Sequence, residues 1–233
     1  MENNIAPLYD KKVLCFYCGH SFQSKRVRSR FIRVQKVESD FCKIYKDGSF
    51  NPTLYEADVC PSCGFTSTEA FSSTFPIGTK EEIAKHFSSW QTQEFGKERT
   101  VAEAIKAMKL AFLSATLKKE NPVVIGGICL RLAWIYRSIH KQDDEKRFLK
   151  AALTHYKVSY EQGDYQDTQM SELHLLYLLG ELARRIERTD EASKYFTKII
   201  QHKERSTNEK IVEMAREQWY EIRNNSEKGI PAK

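Results

Sequence analysis

The spacing of hydrophobic positions changes once along this chain. From about Val13 to Phe75 the pattern is short and strand-like. In "RVRSRFIRV", Arg26, Arg28 and Arg30 alternate with Val27, Ser29 and Phe31, the period of two expected of a half-exposed strand, until the alternation slips at Ile32. "FCKIY", a Lys-Asp-Gly turn around Gly48 and "TLYEADV" follow, which predicts a β-hairpin or meander.

From "FPIGTKEE" onward the period is helical. Thr79 with Glu82, and Thr100 with Glu103, are capping-box patterns, in which a hydroxyl and a carboxylate satisfy backbone N–H groups at a helix start. The second opens "TVAEAIKAMKLAFLSATLKKE", which Asn121-Pro122 breaks. Further on the chain repeats itself. "LAWIYRSIHKQDDEKRFLKAAL" from Leu132 overlays "LGELARRIERTDEASKYFTKII" from Leu179 without a gap, so that Arg137 meets Arg184, Ile139 meets Ile186 and Asp143 meets Asp190. That predicts two copies of one helix-turn-helix unit.

The second copy resembles the tetratricopeptide repeat (TPR), with Leu179-Gly180 on one helix, a turn at Thr189-Asp190, and Ala192 and Tyr195-Phe196 on the next. Gly180 and Ala192 are small where two helices would cross. Leu179, Leu182, Ile186, Tyr195, Phe196 and Ile199 would fill the seam. The first copy carries Ala133 and Glu145 at the small positions, and the offset between copies exceeds the roughly 34 residues of the standard repeat, so the array is TPR-like. "NEKIVEMAREQWYEI" would cap the stack through Ile211, Met214, Ala215, Trp219 and Ile222.

A chain of 233 residues with 41% hydrophobic and 29% charged residues fits one large or two small globular domains. The net charge of +6, from 37 basic and 31 acidic residues, does not by itself indicate nucleic acid. No basic and apolar leader opens the chain, and the longest apolar run, 123–130, is short of the roughly 18 to 20 residues that span a bilayer. The expectation is a cytoplasmic protein, off the membrane, with reduced thiols. In that setting clustered cysteines favour metal over disulfides.

Four of the six cysteines are clustered, in "LCFYCGH" and "VCPSCGF". A Cys-x-x-Cys pair sets two sulfurs on one side of a tight turn, and the glycine after each pair, Gly19 and Gly64, permits the backbone angles that turn N–H groups toward them. Cys15, Cys18, Cys60 and Cys63 are therefore the candidate metal ligands, holding one structural Zn2+ per chain, since four thiolates leave no tetrahedral position open for water. The 41 residues between Cys18 and Cys60 exceed the usual ribbon spacing, which the intervening strands would explain by folding back. The competing readings are a thioredoxin-like dithiol, which calls for a βαβ setting, and ordinary buried cysteines. His20 is read as a surface or supporting residue rather than a ligand, and Cys42 and Cys129 as small buried hydrophobes.

The fold class expected is α+β: a β-rich zinc-ribbon-like module at 1–78, an all-α TPR-like array at 79–224 and a flexible tail at 225–233. No Gly-rich phosphate loop, Gly-x-Ser-x-Gly or His-Glu-x-x-His is present, and the histidines are scattered, so a non-catalytic protein is expected. TPR-type arrays receive peptides or partner helices in a groove, for which Tyr136, Arg137, Tyr177, Arg184 and Arg185 are candidates; a protein or peptide partner is the preferred expectation. The alternative is single-stranded nucleic acid on Lys25, Arg26, Arg28, Arg30, Arg33 and Lys36, six cations interleaved with Phe31. Against it stands the plainer reading of a charged, soluble strand face.

Taken together, "LYDKKVLCFYCGHSFQSKRVR", "ESDFCKIY", "NPTLYEADVCPSCGF" and the helices after "FP" resemble a bacterial domain-of-unknown-function family, number 2225. The resemblance covers nearly the whole chain and is most specific around Asn51-Pro52, Tyr55 and the second knuckle. It implies a cytosolic bacterial protein with a zinc-ribbon-like front and TPR-like helices behind, Cys15, Cys18, Cys60 and Cys63 as metal ligands, and no reaction.

Overall fold

A computed structural model describes residues 5–227. Within them lie six short β-strands, all in antiparallel pairs, and seven α-helices, an α+β class. The chain forms two compact units, Met1–Glu38 with Lys43–Glu120, and Ser39–Cys42 with Asn121–Lys233. The division thus falls at 120/121 rather than at 78/79, and four residues of the β-rich region belong to the helical unit.

In the first unit, β1 (Leu8–Leu14) pairs with β2 (Ser21–Val27) from Leu8↔Val27 to Leu14↔Ser21, β3 (Val34–Val37) with β4 (Lys43–Tyr45), and β5 (Asp58–Val59) with β6 (Thr66–Ser67). The expected strand through Arg26–Val34 is broken. β2 ends with its partner at Val27, a 3-10 turn occupies Ser29–Phe31, and β3 begins beyond it. Gly48 does turn the chain, at φ +70, but no strand pairs across it; Pro52–Tyr55 coils into a 3-10 turn where "TLYEADV" predicts a strand.

Helices α1 (Thr79–His86) and α2 (Val101–Lys118) complete this unit. The capping box at Thr100 forms as expected: Glu103 N–H donates to the Thr100 hydroxyl at 3.2 Å and Thr100 N–H to the Glu103 carboxylate at 2.8 Å. The one expected at Thr79 does not. Gly78, at φ +81, takes the cap position, and the Thr79 hydroxyl donates to the Pro76 carbonyl at 2.7 Å. α2 stays with the strands because its side chains hold them: Thr66 N–H donates to the buried Ser114 hydroxyl at 3.0 Å, and Lys118 reaches Ser72 Oγ at 2.6 Å and pairs with Glu120. The Lys118 ammonium also lies 4.9 Å from the centre of the Phe75 ring.

The second unit stacks α3 (Pro122–Ser138), α4 (Gln142–Gln162), α5 (Glu172–Arg185), α6 (Thr189–Ile200) and α7 (Glu209–Glu227) in sequence order. Asn121-Pro122 follows the end of α2, the break that the sequence predicts, and Pro122 also opens α3. The gapless repeat is visible in the hydrogen bonds of the two helix-to-helix turns. His140 and Glu187, at matched positions, both have positive φ, 57 and 65. His140 N–H donates to Arg137 O, and Glu187 N–H to Arg184 O; Lys141 N–H donates to Tyr136 O, and Arg188 N–H to Ala183 O.

Leu179, Leu182, Ile186, Phe196 and Ile199 are buried in the seam, while Tyr195 is half-buried. Ile211, Ala215 and Ile222 line the inner face of α7, with Val212 beside them. The tail expected from 225 overlaps the last turn of α7; residues 228–233 lie outside the described residues.

Ser39–Cys42 sits in this helical unit through a buried charge cluster. The fully buried Asp40 carboxylate accepts from Arg137 at 3.1 and 2.6 Å and from the Trp134 indole N–H at 3.0 Å, with Arg185 3.4 Å away. Burial alone would raise its pKa; the Arg137 hydrogen bonds and the Arg185 charge outweigh that and hold it below the usual carboxylate range. Glu181, also fully buried, accepts from Ser39 Oγ at 2.6 Å and from Arg184 and Arg185 at 2.8 Å. The expected groove residues Arg137, Arg184 and Arg185 are thus held by carboxylates, and Tyr177 is fully buried.

Two outcomes follow from these contacts. A Cβ on Gly180 would lie 2.6 Å from the Phe196 ring, so Gly180→Ala should lower the melting temperature by roughly 5–15 °C, whereas Gly127→Ala, whose nearest neighbour is a flexible Arg131 nitrogen at 3.4 Å, should leave it unchanged or raise it by a few degrees. Because the Asp40 pKa is lowered by folding, its stabilisation is complete above the unfolded value of about 4 and is lost as pH falls through the folded value. Thermal melts between pH 5 and pH 2 should therefore fall more steeply for the wild type than for Asp40→Asn; parallel curves would refute this.

Candidate metal centre

Each Cys-x-x-Cys-Gly unit is the turn of a short antiparallel hairpin. Cys15–His20 joins β1 to β2 after the Leu14↔Ser21 pair, and Cys60–Phe65 joins β5 to β6 after Val59↔Thr66. The two turns are the same at the level of backbone hydrogen bonds. Cys15 N–H donates to His20 O at 2.9 Å and Gly19 N–H to Cys15 O at 3.0 Å; Cys60 N–H donates to Phe65 O at 3.1 Å and Gly64 N–H to Cys60 O at 2.9 Å. Gly19 and Gly64 have φ of +73 and +76, the left-handed region that costs glycine nothing. In each turn, N–H groups two and three residues on, Tyr17 and Cys18 or Ser62 and Cys63, point at the sulfur of the first cysteine.

The turns face each other. The four sulfurs lie within 4.8 Å of one another, with Cys15 and Cys63 3.7 Å apart and Cys18 and Cys60 3.6 Å apart. Those separations are far beyond the roughly 2.05 Å of an S–S bond. They match the edge, about 3.8 Å, of a tetrahedron of thiolates about 2.3 Å from a central ion. Cys15 and Cys60 are buried, Cys63 is half-buried and Cys18 exposed.

Four thiols this close cannot ionise independently. The hydrogen bond between the Cys15 and Cys63 sulfurs draws Cys15 down to about 5 and pushes Cys63 well up, while burial pushes Cys60 up to about 11. A negative Cys15 sulfur thus opposes the ionisation of Cys60 and Cys63. A bound cation removes the conflict, so the donor set and its spacing fit a metal ion.

The surroundings hold the second turn more firmly than the first. Trp90 donates its indole N–H to Pro61 O at 3.0 Å, and its ring lies directly over Gly64, where a Cβ would sit 2.5 Å from the indole and 2.7 Å from Phe87. The rings of Tyr17, Phe71 and Phe75 gather around buried Phe65 at 5.8–6.2 Å between centroids. His20 is exposed, stacked near Phe22, and supplies only its carbonyl to the turn.

The family described as "Uncharacterized protein conserved in bacteria (DUF2225)" matches residues 8–222. The chain belongs to this family. No curated protein and no solved structure matches it. In this DUF2225 member the match begins with β1 and ends at Ile222, on the buried face of α7, so both cysteine turns and both helical hairpins fall inside it.

The six basic candidates are dispersed. Arg26 is tied inward, donating to both Asp58 oxygens at 2.9 and 2.6 Å and to Tyr55 O at 2.7 Å. Burial would lower its pKa, but Asp58 raises it further. Lys25 pairs with Asp10 at 2.7 Å, and Arg28 donates to Ala6 O and lies over Tyr9. Arg30, over the Phe31 ring, together with Arg33 and Lys36, remains exposed. Cys42 and Cys129 are buried, and Asp58 and Arg99 are structural partners the pattern did not mark; Arg99 is buried against the carbonyls of Ala57, Leu54 and Phe95. No helix among the described residues is long and apolar enough to cross a membrane.

The unequal surroundings of the two glycines give a test. Gly19→Ala meets open space and strains only the backbone, at about 1–2 kcal/mol, so it should keep a full complement of metal with a modest loss of melting temperature. Gly64→Ala must displace Trp90 as well, and should lose most of the bound metal. Elemental analysis of the two purified variants reads this directly; equal metal in both would refute it.

Proposed function

We propose that this protein is a non-catalytic interaction protein whose first unit is a zinc-ribbon-like module closed by one structural Zn2+ and whose TPR-like hairpins bind a protein or peptide partner. The observation that carries the metal reading is the pair of matched turns whose sulfurs stand 3.6–3.7 Å apart. Cys15, Cys18, Cys60 and Cys63 would supply all four ligands, a soft set that suits zinc and leaves no position for water or substrate. The ion supplies charge neutralisation and closure of the fold; the turn N–H groups share the remaining negative charge. The partner reading is supported by the repeated helical hairpin with its close Gly180–Phe196 crossing, the type of unit that stacks to present a binding face.

Protein purified without added metal should carry about one zinc per chain. Cys60→Ser should lose it, and chelation should unfold the first unit, since in such sites metal-binding energy is folding energy. Intact circular dichroism and protease resistance after complete metal removal would refute a structural role. For the partner, affinity capture with the intact chain should retain a specific protein after nuclease treatment. Retained RNA that is released steeply by salt would instead favour Arg30, Arg33 and Lys36 as a nucleic-acid surface, and an empty eluate would end the adaptor reading.

A further inference from the structure

We propose that the Arg137–Arg185–Trp134 pocket of the helical unit is a receptor for a short peptide carrying an acidic residue followed by an aromatic one, and that Ser39–Cys42 occupies it in cis. This deepens the partner-binding reading by naming the pocket and the chemistry of what it takes.

The segment is held as a bound peptide is held. Four residues of the β3–β4 connection belong to the helical unit while their neighbours on both sides, Glu38 and Lys43, belong to the first. Asp40 fills a site with charge-assisted donors on two sides, Arg137 at 2.6 and 3.1 Å and the Trp134 N–H at 3.0 Å. A planar guanidinium gripping both oxygens selects a carboxylate over a neutral amide. Ser39 is fixed between Glu181 at 2.6 Å and Arg185 at 3.1 Å. Phe41 stacks on His174 at 4.4 Å and tilts against Tyr177 at 5.4 Å.

The segment turns tightly between its two anchors, and Cys42 N–H donates to the Asp40 carboxylate at 3.3 Å inside that turn. Phe41 has φ +65, the left-handed region that a bulky residue enters only when its surroundings over-determine it. The segment closes the β3–β4 hairpin, whose last pair is Val37 with Lys43, and Phe41 takes this conformation with its ring against His174 and Tyr177. An anchored carboxylate and an anchored ring one residue apart are the features of a docked linear motif, with the two side chains carrying the recognition.

A tethered ligand acts at an effective concentration of about a millimolar, so a peptide in trans meets the pocket only when the cis copy is disabled. The test uses a fluorescein-labelled peptide with the sequence of residues 36–45, its cysteine replaced by serine, and the full zinc-loaded chain. By fluorescence anisotropy, the Asp40→Ala/Phe41→Ala variant should bind the peptide at least about tenfold more tightly than the wild type. Adding Arg137→Gln to that variant, or changing the peptide's aspartate to asparagine, should weaken binding by at least about tenfold.

Equal affinity for wild type and double variant would place the peptide elsewhere and overturn the proposal. A double variant that keeps its helical circular dichroism but binds nothing would show the segment to be a fixed part of the unit, and so would a double variant that does not fold. A protein partner captured by the intact chain alongside any of these three results would leave the adaptor reading standing and remove only this pocket.

Discussion

The convergence of four sulfurs is the constraint around which the first unit is arranged. Thiols within 4.8 Å of one another suppress one another's ionisation, so the arrangement is stable as thiolates only around a positive charge. Much of the local structure serves to hold them there. Both turns need glycine at the same position because the chain must enter the left-handed region to aim its N–H groups inward. At Gly64 the Trp90 ring then seals the turn from the side that a Cβ would occupy. The strands themselves are too short to fix this geometry, β5 and β6 having two residues each, so the second hairpin depends on α2 through the Thr66–Ser114 bond and on the aromatic packing around Phe65.

A different constraint organises the helical unit. Asp40 and Glu181 are fully buried, and carboxylates taken out of water are stabilised only if guanidiniums and other donors surround them. Arg137, Arg184 and Arg185 supply that charge from the ends of α3 and α5, close to the two turns whose hydrogen bonds match. Those ends lie at equivalent points of the repeat, where Arg137 and Arg184 align in sequence, Arg137 meeting Asp40 and Glu145 and Arg184 meeting Glu181 on its own helix. Removing one carboxylate would leave a half-buried guanidinium without part of its compensation, a loss commonly larger than the gain from forming the pair.

What could be read from the sequence was mostly local. Cys-x-x-Cys-Gly, the Thr100–Glu103 box, the break at Asn121-Pro122 and the gapless repeat each act within a few residues or rest on self-similarity, and each has its counterpart in the structure. Arg26 misled because strand alternation reports which face a residue occupies and says nothing of a carboxylate 32 positions away. Thr79 misled because Gly78 reached the cap position first and the threonine hydroxyl turned back to Pro76. Asp40 carried no signal at all: its partners lie 94 and 97 residues on, and "ESDFCKIY" has no pattern that marks an aspartate for burial. The boundary near 79 was drawn where the period changes, but α2 keeps to the strands because its polar side chains, Ser114 and Lys118, bond to them.

Each unit is therefore completed by something that its own continuous stretch of chain does not supply. The first fits an ion; the second contains four residues from the β3–β4 connection. For the helical unit this bears on the proposed partner site. A fragment starting at Asn121 would lack Asp40, leaving Arg137 with Glu145 and Arg185 with Glu181. If the helical unit takes a peptide partner as proposed, an incoming segment would have to outcompete a tethered one that already bonds to Arg137 and the Trp134 N–H, a threshold that only a closely matched motif would cross. Selectivity in this unit would then come as much from the resident segment as from the pocket that holds it.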